Sequence, residues 1–191
     1  YRGIGHLLAL MRLLSGSDLH AENVIAQGGI PYVVDCETLF TPKVPPAPSG
    51  YGRALDQAGE LITRTVLSVG VLPGRGLGLG WRGVDVSAVG MLVGQQPMQQ
   101  VQGIIGAGTD KAHVGPMLVE APMWQNHPSP QPALAEHWPE VVRGFDELTA
   151  TLQRLDASGG LEPRLRVFED CCIRVVLRAT EVYAEIGRML W

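Results

Sequence analysis

The sequence has little cysteine: Cys36, Cys171 and Cys172 are all there is in 191 residues. An odd number without CxxC spacing supports neither a disulfide framework nor a zinc site, and the three read as small buried thiols of a reducing, cytoplasmic compartment. Charge of one sign is also scarce. A net charge of −4 leaves no basic footprint, so nucleic acid is not an expected partner. No apolar run reaches the roughly 18 residues that a membrane span needs. There is no secretory signal pattern, no repeat at solenoid periods and no GxxxxGK[ST] phosphate loop. The glycine alternation from Gly74 to Gly80 therefore reads as a surface loop. The chain starts at Tyr1 inside a helical pattern and ends at Trp191 inside another, and reads as an excerpt of something longer.

What is present is 46% apolar residues, enough to fill a core. Ile4, Leu7, Leu8, Met11 and Leu14 recur at helical spacing, with Leu10 and Leu13 widening the face and Gly16 placed to cap the end. Val24-Ile25-Ala26-Gln27 and Ile30-Pro31-Tyr32-Val33-Val34, separated by Gly28-Gly29, predict a hairpin with Pro31 at a strand start or on an edge. The prolines between Pro42 and Pro48 mark an extended connector. Helices are expected over 55–69 and 139–155, with Pro139 in a first turn, and over 166–190 with a break near Cys171. Residues 70–94 read as loop-rich, and 95–132, rich in Gly, Pro, Gln and His, as irregular.

Chemistry concentrates in Asp18-Leu19-His20-Ala21-Glu22-Asn23 and Asp35-Cys36-Glu37. Protein kinases carry an Asp-Leu-x-x-x-Asn loop followed by a metal-binding Asp. Asp18 and Asn23 keep that spacing, with Asp35 where the metal carboxylate belongs. Asp18 is placed to accept a hydrogen bond from an attacking hydroxyl, and His20, as an imidazole, suits phosphate binding or proton transfer. Asn23 and Asp35 offer the hard oxygens that magnesium prefers, and Glu37 a further one. If Val33-Val34 continues as a strand, Asp35 and Glu37 point the same way, as do Asp18 and His20 in an extended loop. The competing reading is a capping Asp, a surface His and a turn Asn. Near the C-terminus Asp170, Arg174 and Arg178 recur at helical spacing, and spacing alone makes them an ordinary charged helix face.

Over its whole length the sequence resembles the dehydratase domain of class II lanthipeptide synthetases. The likeness rests on SGSDLHAENVIAQGGIPYVVDCETLF, then on Thr65 to Pro73, Asp85 to Gly90, Asn126-His127-Pro128, Gly144-Phe145, and Arg174-x-x-x-Arg178-x-Thr180-x-x-Tyr183. The resemblance implies an α+β fold, the C-lobe portion of a kinase-like, lipid-kinase-related core, mostly helical with a short β-hairpin. Residues 1–41 would be the catalytic loop and metal-binding hairpin, 42–132 a loop-rich connector with helices, and 133–191 a helical part with an elimination motif. The N-terminal lobe and the zinc-dependent cyclase domain would be absent. The implied activity is phosphorylation of Ser and Thr in a ribosomal precursor peptide with ATP and Mg2+, then phosphate elimination to dehydro residues. Asp18, His20, Asn23, Asp35 and Glu37 would serve phosphorylation and metal binding, and Arg174 and Thr180 elimination. Cys36 departs from the usual aliphatic residue. The upstream nucleotide-anchoring lysine has no counterpart, so the excerpt alone is expected to be inactive. Another kinase-fold phosphotransferase and a non-catalytic peptide-binding module are the alternatives.

Overall fold

The computed structural model describes residues 1–42, 48–74, 83–90, 96–121, 128–129, 134–175 and 180–190. Its organising contact is between two helices. Helix α1 (Arg2–Leu13) buries Ile4, Leu7, Leu8 and Met11, whose spacing puts them on one face. That helix crosses α3 (Leu134–Ala157) with backbone nearly touching backbone. A Cβ added at Gly5 would overlap the Val141 carbonyl oxygen, and one at Gly144 the Arg2 carbonyl oxygen. Glu147 of α3 secures the crossing: Arg2 Nε donates to Glu147 Oε2 at 2.9 Å, and His6 Nε2 lies 3.4 Å from the same atom. Helix α3 starts earlier than expected, so Pro139 lies inside it rather than at its first position. Of the residues expected to widen the α1 face, Leu13 packs against the core and Leu10 is exposed.

Helix α1 ends in a tight reversal. Ser15 takes a φ of 50°, and Gly16 N–H donates to the Met11 carbonyl at 2.8 Å, the long bond of a Schellman cap. Strands β1 (Val24–Gln27) and β2 (Ile30–Val33) then pair antiparallel, Val24 with Val33 and Gln27 with Ile30. Gly28 and Gly29, at φ 57° and 79°, supply the left-handed pair that a two-residue turn requires. Helix α2 (Arg53–Thr63) leads into a 3₁₀ turn, Val66–Val69, whose Val69 joins the core with Val71, Val84 and Val89.

Residues 95–132 correct the expectation of irregular structure. Strands β3 (Met98–Ile105) and β4 (His113–Glu120) form a second antiparallel hairpin, with Met98 opposite Glu120 and Ile105 opposite His113. Met98, Ile104, Val114 and Leu118 are exposed, and the hairpin packs on no other helix or strand among the described residues. With neither face buried, the sequence carries no in–out alternation to read. After α3 come α4 (Leu161–Leu165), a 3₁₀ turn at Arg166–Phe168, and α5 (Thr180–Met189). The break expected near Cys171 is present: residues 171–175 have no regular structure. Asp170 and Arg174 are therefore on no helix, and Arg178 lies outside the described residues. Cys171 and Cys172 are exposed and Cys36 is only half-buried, which corrects the expectation of buried thiols. The glycine-rich loop from 75 onward and the Asn126-His127 pair also lie outside the described residues. No described helix is long and apolar enough to cross a membrane.

Candidate functional site

The Asp18–Asn23 loop is built by alternation. Leu19 and Ala21 are buried, which plugs the loop into the core at about 1.5–3 kcal/mol for a leucine, while Asp18 is exposed and His20 half-buried. Three distant segments hold its backbone. Ser17 N–H donates to the Thr38 carbonyl at 3.3 Å, Leu19 N–H to Val69 at 2.8 Å, and Ala21 N–H to Val86 at 2.8 Å. Thr38 is buried and returns its hydroxyl to the Ser17 carbonyl. Asp18 is not extended, as anticipated, but sits at φ 61°, a conformation that Asp tolerates better than most residues. Its carbonyl accepts from Asn23 Nδ2 at 2.8 Å, which closes the loop on itself. His20 Nε2 lies 3.9 Å from Asp18 Oδ1 and 3.5 Å from Asn23 Nδ2, so these three side chains share one spot.

Val34 N–H donates to the Asn23 carbonyl at 3.0 Å, which sets the Asp35 segment beside the loop. Strand β2 stops at Val33, so Asp35 and Glu37 are not the extended i, i+2 pair expected. Asp35 Oδ1 instead accepts from Glu37 N–H at 3.3 Å in an Asx-type turn, and both carboxylates are exposed. Between them, burial and the neighbouring Asp35 push the Cys36 thiol up, away from thiolate chemistry. Among the described residues no three His, Cys, Asp or Glu side chains group to hold a metal. A cation here would rest on the amide of Asn23, the two carboxylates, and oxygens from outside the protein, a donor set that suits magnesium.

The other face of this turn meets the C-terminus. Phe168 packs on Phe40 with ring centroids 5.1 Å apart, and the irregular stretch beyond it brings Arg174 Nη1 into an ion pair with Glu37 Oε2. Thr180 opens α5, but its side chain lies outside the described residues.

The family described as a domain of unknown function, DUF4135, matches residues 1–191. The chain belongs to the DUF4135 family. This domain is associated with class II lanthipeptide synthetases. The lacticin 481/lactococcin biosynthesis protein LcnDR2 of Lactococcus lactis subsp. lactis is 38% identical over 78 residues, a match covering 40% of this chain and 8% of that protein. No solved structure matches significantly.

Beyond the motif residues, the DUF4135 loop depends on a buttress to which sequence reasoning gave no role. Buried Asp85 accepts from Ser87 N–H at 2.9 Å through Oδ1, and Gln96 clamps the Asp85 backbone with bonds of 3.0 and 2.7 Å. Ser87 bridges to His20, so this turn lies directly behind the loop. An Asp-x-Ser sequence is a turn signal, but spacing does not reveal what the turn supports. A cleft of about 460 Å³ lined by Arg2, His6, Leu10 and Pro31 is separate, and none of Asp18, His20, Asn23, Asp35 and Glu37 lines it.

Proposed function

We propose that this domain carries the dehydration chemistry of a class II lanthipeptide synthetase on a kinase-like, lipid-kinase-related core. Ser and Thr of a ribosomal precursor peptide are phosphorylated from ATP, and the phosphate is then eliminated to leave dehydroalanine or dehydrobutyrine. The observation that carries this reading is the Arg174–Glu37 ion pair. It sets the guanidinium of the C-terminal motif against the acidic turn that adjoins Asp18, His20 and Asn23. A plain phosphotransferase has no use for an arginine delivered there from 137 positions downstream in the chain.

The roles follow from the donors. Asp18 orients the attacking hydroxyl by accepting its hydrogen bond. His20, beside it, is the proton-transfer group. Asn23, Asp35 and Glu37 would hold magnesium, which supplies charge neutralisation for the phosphoryl group. In elimination a base removes the α-proton, its electrons form the Cα=Cβ bond, and the Cβ–O bond breaks so that inorganic phosphate leaves. Arg174 holds that anion by paired N–H donors, and Thr180 assists.

The test is peptide mass after the full-length protein is incubated with ATP, magnesium and its precursor peptide. A loss of about 18 Da per site is the expected result. A stable gain of about 80 Da marks a phosphotransferase without elimination, and an unchanged mass a peptide-binding module; either overturns the reading.

A further inference from the structure

We propose that Glu37 is a positioning residue for Arg174, holding the guanidinium over the Asp18–Asn23 loop for the elimination half-reaction. This rests on the dehydration reading above and adds to it, because there Glu37 serves only as a metal ligand. The two partners differ in how firmly they are held. Glu37 sits in a fixed turn: its N–H is bound to Asp35, and the next residue, Thr38, is buried and bonded twice to Ser17. Arg174 sits on a stretch with neither helix nor strand, tethered upstream by Phe168 on Phe40, and its side chain is 55% exposed. A long arginine on an irregular segment loses its direction unless a carboxylate holds it. The pair uses Nη1, and a guanidinium carries five N–H donors on a rigid plane. One edge can rest on Glu37 while the remaining donors meet a phosphate dianion. Glu37 would thus act through Arg174, without touching the phosphate.

The experiment uses the full-length protein with ATP, magnesium and two peptides, the unmodified precursor and the same peptide carrying preformed phosphoserine. Glu37→Gln is expected to lower kcat for elimination from the phosphopeptide about tenfold with KM little changed, the signature of lost transition-state contact. Combined with Arg174→Ala, it should add no further loss, because the two act as one unit. Labelling with phenylglyoxal should modify Arg174 several-fold faster in Glu37→Gln than in the unsubstituted protein, as order-of-magnitude expectations for an exposed pair released from its partner. Both side chains are partly exposed, so the fold should survive, which circular dichroism checks. Elimination at the unsubstituted rate, losses that multiply in the double variant, unchanged labelling, or full rescue by raised magnesium would each overturn the proposal. If the unsubstituted protein neither phosphorylates nor eliminates, the dehydration reading is the one that fails, and the labelling decides the tether by itself.

Discussion

Asp18 holds its carboxylate out on a backbone that costs free energy to maintain, at φ 61°, and the Asn23 amide on its carbonyl is what keeps it there. On the dehydration reading proposed above, substitutions should divide the two half-reactions. Asp18→Ala and Asp35→Asn should leave the peptide unmodified, whereas Arg174→Ala should let phosphopeptide accumulate at about 80 Da per site. Mass spectrometry of each full-length variant reads this directly; an Arg174→Ala protein that dehydrates normally would reduce the motif to a surface charge. At this scale the sequence pointed to Asp18, His20, Asn23, Asp35 and Glu37, and the structure brings the first three to one spot with the Asp35–Glu37 turn beside them. It did not make the geometry legible. Asp35 and Glu37 were expected to align along a strand, and an Asx-type turn replaced the strand. The Glu37–Arg174 pair was invisible, since no periodicity links positions so far apart in the chain.

Among the elements, the crossing of α1 and α3 admits one sharp test. Gly144 has no room for a methyl group, since the Arg2 carbonyl occupies that space. Gly144→Ala should therefore cost about 2 kcal/mol or more despite its better helix propensity, measured by urea unfolding. The same crossing carries an acid-sensitive link. Hydrogen bonding and charge from Arg2, with help from His6, hold the Glu147 carboxyl below the usual glutamate range. A lowered folded-state pKa stabilises the fold at neutral pH, and that contribution is lost as pH falls through the folded value. Stability should drop below about pH 4, less steeply in Glu147→Gln, and the difference should shrink with added salt because the pair is exposed. Helix α1 and the β1–β2 hairpin were legible because each shows a local signal, a one-sided apolar face and a Gly-Gly turn. Strands β3 and β4 were not, because Gln99, Gln100, Gln102 and Pro116 occupy a hairpin exposed on both faces, where nothing enforces alternation.

At the scale of the molecule, the described elements leave apolar side chains uncovered: Leu55, Leu61 and Ile62 of α2, where no residue is buried, and those of β3 and β4. The core gathers instead under the Asp18–Asn23 loop, where Leu8, Leu19, Val24, Val69, Val71 and Val89 meet. That inverts the usual distribution of rigidity, in which loops loosen first and regular elements last. Leu19 and Ala21 donate their N–H groups to the 3₁₀ turn and to the Asp85 turn, two segments far away in the chain. Freeing the loop means separating it from both segments as well as withdrawing Leu19 and Ala21 from the core. In deuterium-exchange measurements the amides of Leu19 and Ala21 should therefore exchange at the rate of global unfolding, slower than the strand amides of β3 and β4. The Asp18–Asn23 loop would be among the last of the described segments to take up solvent deuterium.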